Sequence, residues 1–331
     1  MKNTGKFVIS LDFELLWGMR DEKTIAEYGE NILGVWKVIP RMLDLFEKYN
    51  VSATFATVGF LFASDKEGLM KFFPKRKPQY KNPNLSPYNG HFNLVKGSEA
   101  EDKYHYASDL INLIRKYPNH EIATHTFSHY YCNAEGQTIE DFRSDIKSAI
   151  SIGSHFGIGY KSLIFPRNMF NEEYLKVCEE HRILAYRGNE IAWCYRAEKG
   201  VSKLKYKSKQ AVRLLDSYMN LTGHHCYSLE DISKSKPYNI PSSRFLRPYA
   251  PVLWAVESFR KKRIQDSMTF AAKNNLLYHL WWHPHNFGSN QDENFNFLED
   301  ILVHYKKLNE QYGFESITMG GFAEKIQINH E

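Results

Sequence analysis

Short apolar runs alternate with amphipathic stretches along most of the chain. Phe7-Val8-Ile9-Ser10-Leu11 reads as a strand, and Ile39 to Tyr49 predicts a helix with Leu43 and Phe46 on one side and Pro40 near its start. Val51 to Val58, rich in Thr and β-branched residues, predicts a second strand. Residues 71–104 break the rhythm. Lys75-Arg76-Lys77-Pro78 and Asn82-Pro83-Asn84-Leu85-Ser86-Pro87 are loop chemistry, which predicts a loop-rich insertion over one face. A helix over Ala107 to Lys116 leads to the short strand Glu121-Ile122-Ala123. Thr138-Ile139-Glu140-Asp141 has the form of a capping box and starts a helix that runs to about His155. A strand over Lys161 to Phe165, a helix over Asn171 to His181 and a strand over Ile183 to Tyr186 follow. Residues 195–247 are polar and irregular. The pattern resumes with a helix from about Val252 to Asn274, a strand over Leu276 to Trp282, a helix from about Asn294 to Tyr312 and a closing strand over Phe314 to Thr318. Six or seven strand–helix steps favour a barrel-like α/β fold over a sandwich, with residues 1–331 as one domain.

Composition narrows the setting. The net charge of +5 is modest for 331 residues, and no groove-reading motif appears, which argues against a nucleic-acid partner. Cys132, Cys178, Cys194 and Cys226 are widely spaced with no C-x-x-C, a usage that fits a reducing compartment. Met1 to Lys6 lead straight into the first strand without the apolar core of a signal peptide. No apolar run approaches the roughly 18 residues of a membrane span. The expectation is a soluble, cytoplasmic protein with no transmembrane segment.

The candidate chemistry lies at the ends of strands. Asp12 and Glu14 follow the first one, facing the same way while Phe13 faces the other. Buried there, two carboxylates need a metal, an arginine or hydrogen bonds. His125 and His129, in Thr124-His125-Thr126-Phe127-Ser128-His129, are spaced so that one turn presents both imidazoles together. Two histidines and a carboxylate make a three-ligand zinc site with an open position. His283 and His285 flank Pro284 after the strand Tyr278-His279-Leu280-Trp281-Trp282, and either is a candidate general acid. Arg167, after another strand, is positioned to pair with Asp12 and hold it ionised. His224-His225-Cys226 has no matching partner and reads as structural, and Arg260-Lys261-Lys262-Arg263 reads as a solvated helix face.

Taken in order, these segments resemble the motifs of the polysaccharide deacetylase family, the NodB-homology carbohydrate esterases. Ser10-Leu11-Asp12-Phe13-Glu14 resembles the family's T-F-D-D-G, and His125-Thr126-Phe127-Ser128-His129 matches H-S/T-x-x-H in full. Phe165-Pro166-Arg167-Asn168 resembles the R-P-P-Y segment, Asn189-Glu190-Ile191-Ala192-Trp193 the D-x-x-x-W motif, and Leu280-Trp281-Trp282-His283 the closing L-x-H with one extra residue. The likeness spans about residues 7 to 290. It implies a distorted (β/α) barrel of about seven parallel strands with outer helices. It also implies a divalent metal, Zn²⁺, on Glu14, His125 and His129, with Asp12 as general base, Arg167 as its partner and His283 as general acid (His285 is the alternative). A backbone N–H near Asn168 would hold the oxyanion, and Trp193 and Trp282 would wall the acetyl methyl or stack on a sugar ring. Three departures stand out. Phe13 replaces an aspartate, which makes Glu14 the metal carboxylate; Arg167 follows its proline instead of preceding it; and Asn189 replaces the carboxylate that would keep the acid histidine protonated.

The implied reaction is removal of an acetyl group, N-acetyl before O-acetyl, from a sugar, glycan or sugar carrier. Phe245-Leu246-Arg247-Pro248-Tyr249 and the segment from Trp281 to Gly288 look most like the cytoplasmic deacetylase-like proteins of bacterial surface-polysaccharide (lipopolysaccharide) biosynthesis. Two other classes are compatible with these residues: a metal-dependent amidohydrolase acting on a small non-sugar amide or formyl group, and a non-catalytic glycan-binding relative, for which Phe13 and Asn189 are the motive.

Overall fold

Parallel strands form the centre of the protein, in a computed structural model that describes residues 4–195 and 203–330. Met1 to Asn3, residues 196–202 of the stretch predicted irregular, and Glu331 lie outside the described residues. Among those described, the strands are β1 (Lys6–Phe13), β2 (Thr54–Thr57), β3 (Glu121–Thr124), β4 (Ser162–Leu163), β5 (Ala185–Tyr186), β6 (Tyr238–Asn239), β7 (Arg244–Phe245), β8 (Leu277–Trp282) and β9 (Glu315–Ser316). The sheet order is β6-β5-β4-β3-β2-β1-β8-β7, every pairing is parallel, and β9 pairs with the start of β1. The helices are α1 (Ile25–Lys48), α2 (Lys66–Met70), α3 (Ser108–Ile114), α4 (Ile139–His155), α5 (Glu172–Glu180), α6 (Lys203–Asp216), α7 (Leu229–Ile232), α8 (Glu257–Lys273), α9 (Gln291–Tyr312) and α10 (Met319–His330).

The two-residue period of β1 separates an outer core from an inner one. Phe7, Ile9, Leu11 and Phe13 pack outward with Met42 of α1, Met268 of α8 and Leu298 of α9. Val8 points inward and meets Ala56, Ala123, Ala185 and Leu277 from neighbouring strands. Small inward residues let the strands curl tightly around this axis. The amino end of the barrel is plugged by Met319, Phe322, Ala323 and Ile326 of α10, while Gly320 N–H donates to Glu121 at 2.8 Å. The sheet ends are bridged by one segment: Ile240 N–H donates to Tyr186 O and Ser242 N–H to Gly188 O, whereas Ser243 N–H donates to His279 O. The result is the distorted barrel expected from the sequence, with outer helices and nine short strands where about seven were predicted.

Three element assignments need correction. The first helix begins at Ile25, well before Ile39, with Thr24 N–H bonded to Glu27 at 2.9 Å as its cap. Pro40 lies inside it: the ring removes one backbone bond, but a buried stripe from Ile32 to Phe46 continues through and holds the helix together. The stretch predicted irregular contains α6, α7, β6 and β7. The C-terminal helix α10 follows β9 where no element was predicted. The loop-rich reading of 71–104 agrees with short 3-10 turns at Pro83–Leu85 and His91–Leu94.

Candidate active site

Side chains from five strand ends meet at the carboxyl edge of the barrel. Asp12 ends the inward row of β1, and Glu14 lies in the turn beyond Phe13, which is buried in the outer core. Gly18, in the 3-10 turn Leu15–Gly18, leaves room for the Glu14 carboxylate: a Cβ there would stand 2.0 Å from its Oε1. His125 follows β3. Thr126 and His129 adopt φ of 63° and 54°, an unusual conformation for a β-branched residue such as Thr126, and one held from outside. Asp145 of α4 does the holding, accepting from Phe127 N–H at 2.7 Å, from Ser128 N–H at 3.2 Å and from the Ser128 hydroxyl. Thr126 Oγ1 in turn accepts from Tyr130 N–H at 2.7 Å.

His125 Nε2 and His129 Nε2 lie 3.2 and 3.1 Å from Glu14 Oε2. Their donor set suits a divalent cation. His125 Nδ1–H donates to Ile164 O at 2.8 Å, which leaves Nε2 with its lone pair and, among the described residues, no hydrogen-bond partner. Ligands about 2.1 Å from a tetrahedral ion lie roughly 3.4 Å apart, close to these separations. Burial, against the pull of Glu14, brings the His129 imidazole down to about 4, so the ring is neutral and able to ligate. Its other nitrogen, Nδ1, lies 3.3 Å from Arg20 Nη1. Burial pushes the Glu14 carboxyl up, but His283 and the adjoining imidazoles of His125 and His129 hold it well below the usual range, hence ionised. Glu14 forms a second, overlapping group with His283 and His285, in which His283 Nε2 is farther off, at 3.6 Å.

Asp12 is held by Arg187 through two bonds of 2.7 Å, one to each carboxylate oxygen. Arg187 is wholly buried. It also donates to Ser10 Oγ at 3.0 Å and to Asn168 Oδ1, and it stacks over Trp281 at 4.1 Å. Burial raises the Asp12 carboxyl, but Arg187, with His125 and His283, brings it below its ordinary value. His279 completes the network: its Nδ1–H donates to Ile240 O, and its Nε2 accepts from Ser10. His283 Nε2 lies 3.7 Å from Asp12, and its Nδ1 is oriented by Asn286 Oδ1 at 3.3 Å. A cavity of about 770 Å³ opens beside His283 and is lined by Asn168, Asn189, Tyr195, Phe245 and Trp281, among others.

Asp12, Glu14, His125, His129 and His283 thus come together as expected, while other expectations are overturned. Arg167 does not reach Asp12: it pairs with Asp21 at 2.6 Å and Glu22 at 2.9 Å, and Arg187 takes its place. Trp282 belongs to the outer core and is 0% exposed; Trp281, on the opposite face of β8, lines the cavity. Trp193 is 55% exposed and outside the cavity lining. Asn168 lines the cavity, but its N–H already donates to Phe165 O at 2.9 Å, so it is not a free oxyanion donor. Asn189 donates to Asn168 O at 3.0 Å instead of meeting His283. His285 is buried, stacked on His283 and depressed by burial to about 3, which leaves His283 as the better-placed acid. Sequence reading missed Arg187 and Asn286. Arg187 directly follows the predicted strand Ile183 to Tyr186, so the strand-end rule applied elsewhere would have found it.

The family model for polysaccharide deacetylase matches residues 28–185, a stretch that includes His125 and His129 but neither β1 nor β8. Among solved structures, a Mycobacterium smegmatis protein assigned as a polysaccharide deacetylase is 12% identical, with 100% of this chain and 93% of that chain covered and a TM-score of 0.60. A Pseudomonas aeruginosa PAO1 protein with the same assignment is 10% identical, with 98% and 91% covered and a TM-score of 0.51. No match was found among curated proteins. At such identities the two structures speak for the fold. Over residues 28–185 the chain is similar to the polysaccharide deacetylase family, and its fold is that of the two solved structures.

Proposed function

We propose that the protein is a metal-dependent carbohydrate deacetylase that removes an acetyl group, N-acetyl before O-acetyl, from a sugar. The reading rests chiefly on one observation: the ligand atoms of Glu14, His125 and His129 converge beside Asp12 and His283 at the mouth of an open cavity. Glu14, His125 and His129 would hold the ion, Zn²⁺ by the nature of the donors. When bound, it polarises the acetyl carbonyl and lowers the pKa of a water ligand. Asp12 accepts the proton of the attacking water. Arg187 makes Asp12 a weaker base but fixes where its remaining lone pairs point. His283, partly exposed and held by Asn286, delivers a proton to the departing nitrogen.

The setting we propose is cytoplasmic, in the synthesis of a bacterial surface polysaccharide. Four free cysteines support a reducing compartment, and no helix among the described residues is long and apolar enough to cross a membrane. The test is acetate release from N-acetylhexosamine substrates by zinc-loaded protein, by chelated protein, and by Glu14→Ala and His125→Ala. Release by the first alone is expected. Sugar binding that persists in His125→Ala, with no acetate from the wild type under any metal, would instead mark a glycan-binding protein.

A further inference from the structure

We infer that the cavity beside His283 binds a phosphate group carried by the sugar, so that the substrate is a sugar phosphodiester or diphosphate and not a neutral polymer; this deepens the deacetylase reading and rests on it for the identity of the sugar. The lining is unevenly charged: it contains Arg167, Lys209, Arg213, Arg244 and Arg247 against one carboxylate, Glu190. Arg167 is matched by Asp21 and Glu22, and Arg244 by Asp216 at 2.9 Å. Arg213 and Arg247 are different. Among the described residues no carboxylate pairs with Arg213, whose guanidinium lies 6.0 Å from the Tyr195 ring. The carboxylate nearest Arg247 is Glu257, whose Oε1 lies 4.0 Å from Nη2, beyond hydrogen-bonding distance, while its Oε2 is bound by Arg260. Arg247 Nη2 donates to Tyr218, while its Nε is buried without an acceptor among the described residues. A buried guanidinium donor left unmade is costly, and phosphate oxygens are the acceptors its planar fork fits best.

The same cavity reaches the proposed centre, because His283 and Trp281 line it and His283 Nε2 is 3.6 Å from Glu14. One ligand can therefore present its acylated sugar at His283 and its phosphate to Arg213 and Arg247. Tyr195, Phe245 and Trp281 supply flat apolar surface between them. About 770 Å³ is a volume suited to such a compound ligand.

The phosphate could belong to a nucleotide or to a lipid carrier, and the experiment separates the two. Titration calorimetry on the full chain carrying His125→Ala, without added metal, would measure binding of inorganic pyrophosphate, UDP-N-acetylglucosamine and farnesyl-diphosphoryl-N-acetylglucosamine. Pyrophosphate binding is expected, weakened about tenfold or more by either Arg213→Gln or Arg247→Gln and by added salt. Arg213 is partly exposed, so its replacement leaves folding intact even if Arg247→Gln does not. Tighter binding of the UDP sugar would identify the nucleotide as carrier, tighter binding of the farnesyl compound a lipid, and equal binding of all three recognition of the phosphates alone. Pyrophosphate affinity that is undetectable, or that neither arginine substitution lowers, overturns the inference. Acetate release absent from every sugar, with pyrophosphate binding intact, would instead sink the deacetylase reading and leave the phosphate site standing.

Discussion

Asp12 is a buried carboxylate matched atom for atom, one arginine nitrogen on each oxygen. Removing one partner of such a pair leaves a bare charge in a dry interior, which costs about 3–5 kcal/mol. Arg187→Met is therefore expected to lose that much in urea unfolding, whereas Arg167→Met, whose side chain is partly solvated, should lose at most about 1 kcal/mol. Equal losses would contradict the assignment of Arg187 as the partner. Gly18 makes a different demand: a methyl at that position would overlap the Glu14 carboxylate. Gly18→Ala should fold, keep its melting temperature within a few degrees, and bind much less zinc by metal analysis; full zinc occupancy would show that Glu14 is not needed in its observed place. The residues that carry charge or imidazole at strand ends were readable because the chemistry is written in their type. What misled was direction. Trp282 was assigned to the site beside His283, yet neighbours on a strand face opposite ways, so Trp281 was the consistent choice. Arg167 was chosen for its motif position, while Arg187, at an equivalent strand end, has the reach.

Between elements, the carboxylate of Asp216 ties the end of α6 to β7 and α8. It pairs with Arg244 at 2.9 Å and Arg263 at 3.5 Å and accepts from the N–H groups of Leu221 and Thr222. Burial raises its pKa, but the two arginines outweigh burial and hold it below its ordinary value. A carboxyl depressed in the folded state contributes stability above its unfolded pKa of about 3.9, and that contribution disappears as pH falls through the folded value. Asp216→Asn should therefore destabilise clearly at pH 7, and the gap from wild type should narrow below about pH 4. A gap independent of pH in urea melts would mean the carboxylate acts only through its neutral hydrogen bonds. This junction lies in the stretch that sequence left unassigned. The helix α6 is amphipathic, but it is rich in lysine, so its stretch reads as polar, and two-residue strands such as β6 and β7 are too short to show a period. α4 with its capping box was placed residue for residue, and α9 was placed to within three residues at its start. The early half of α1 was hidden by Pro40, which usually marks a start and here does not.

At the scale of the whole barrel, the two ends do different work. The carboxyl edge gathers polar side chains around a cavity; the amino end is filled by α10. The parallel arrangement was legible from the alternation of strands and helices, although two of the nine described strands were not. The plug was not, because an inner core of single alanines and one valine from separate strands has no local pattern. This division predicts that stability and metal binding can be changed independently. Phe322 of α10 is 4% exposed among Val8, Ile164 and Leu277. Phe322→Ala removes a large side chain from a packed interior and should cost about 3–5 kcal/mol. Native protein at low temperature should still take up zinc with unchanged stoichiometry and affinity, because none of the three proposed ligands lies in the plug's cluster and Ile164, which does, holds His125 through its backbone carbonyl and not its side chain. The measurement pairs urea unfolding with a zinc titration of the same sample. A weakened zinc affinity in fully folded Phe322→Ala would mean that strain travels along β1 and β3 from plug to site, and that the inner alanines couple the two ends instead of insulating them.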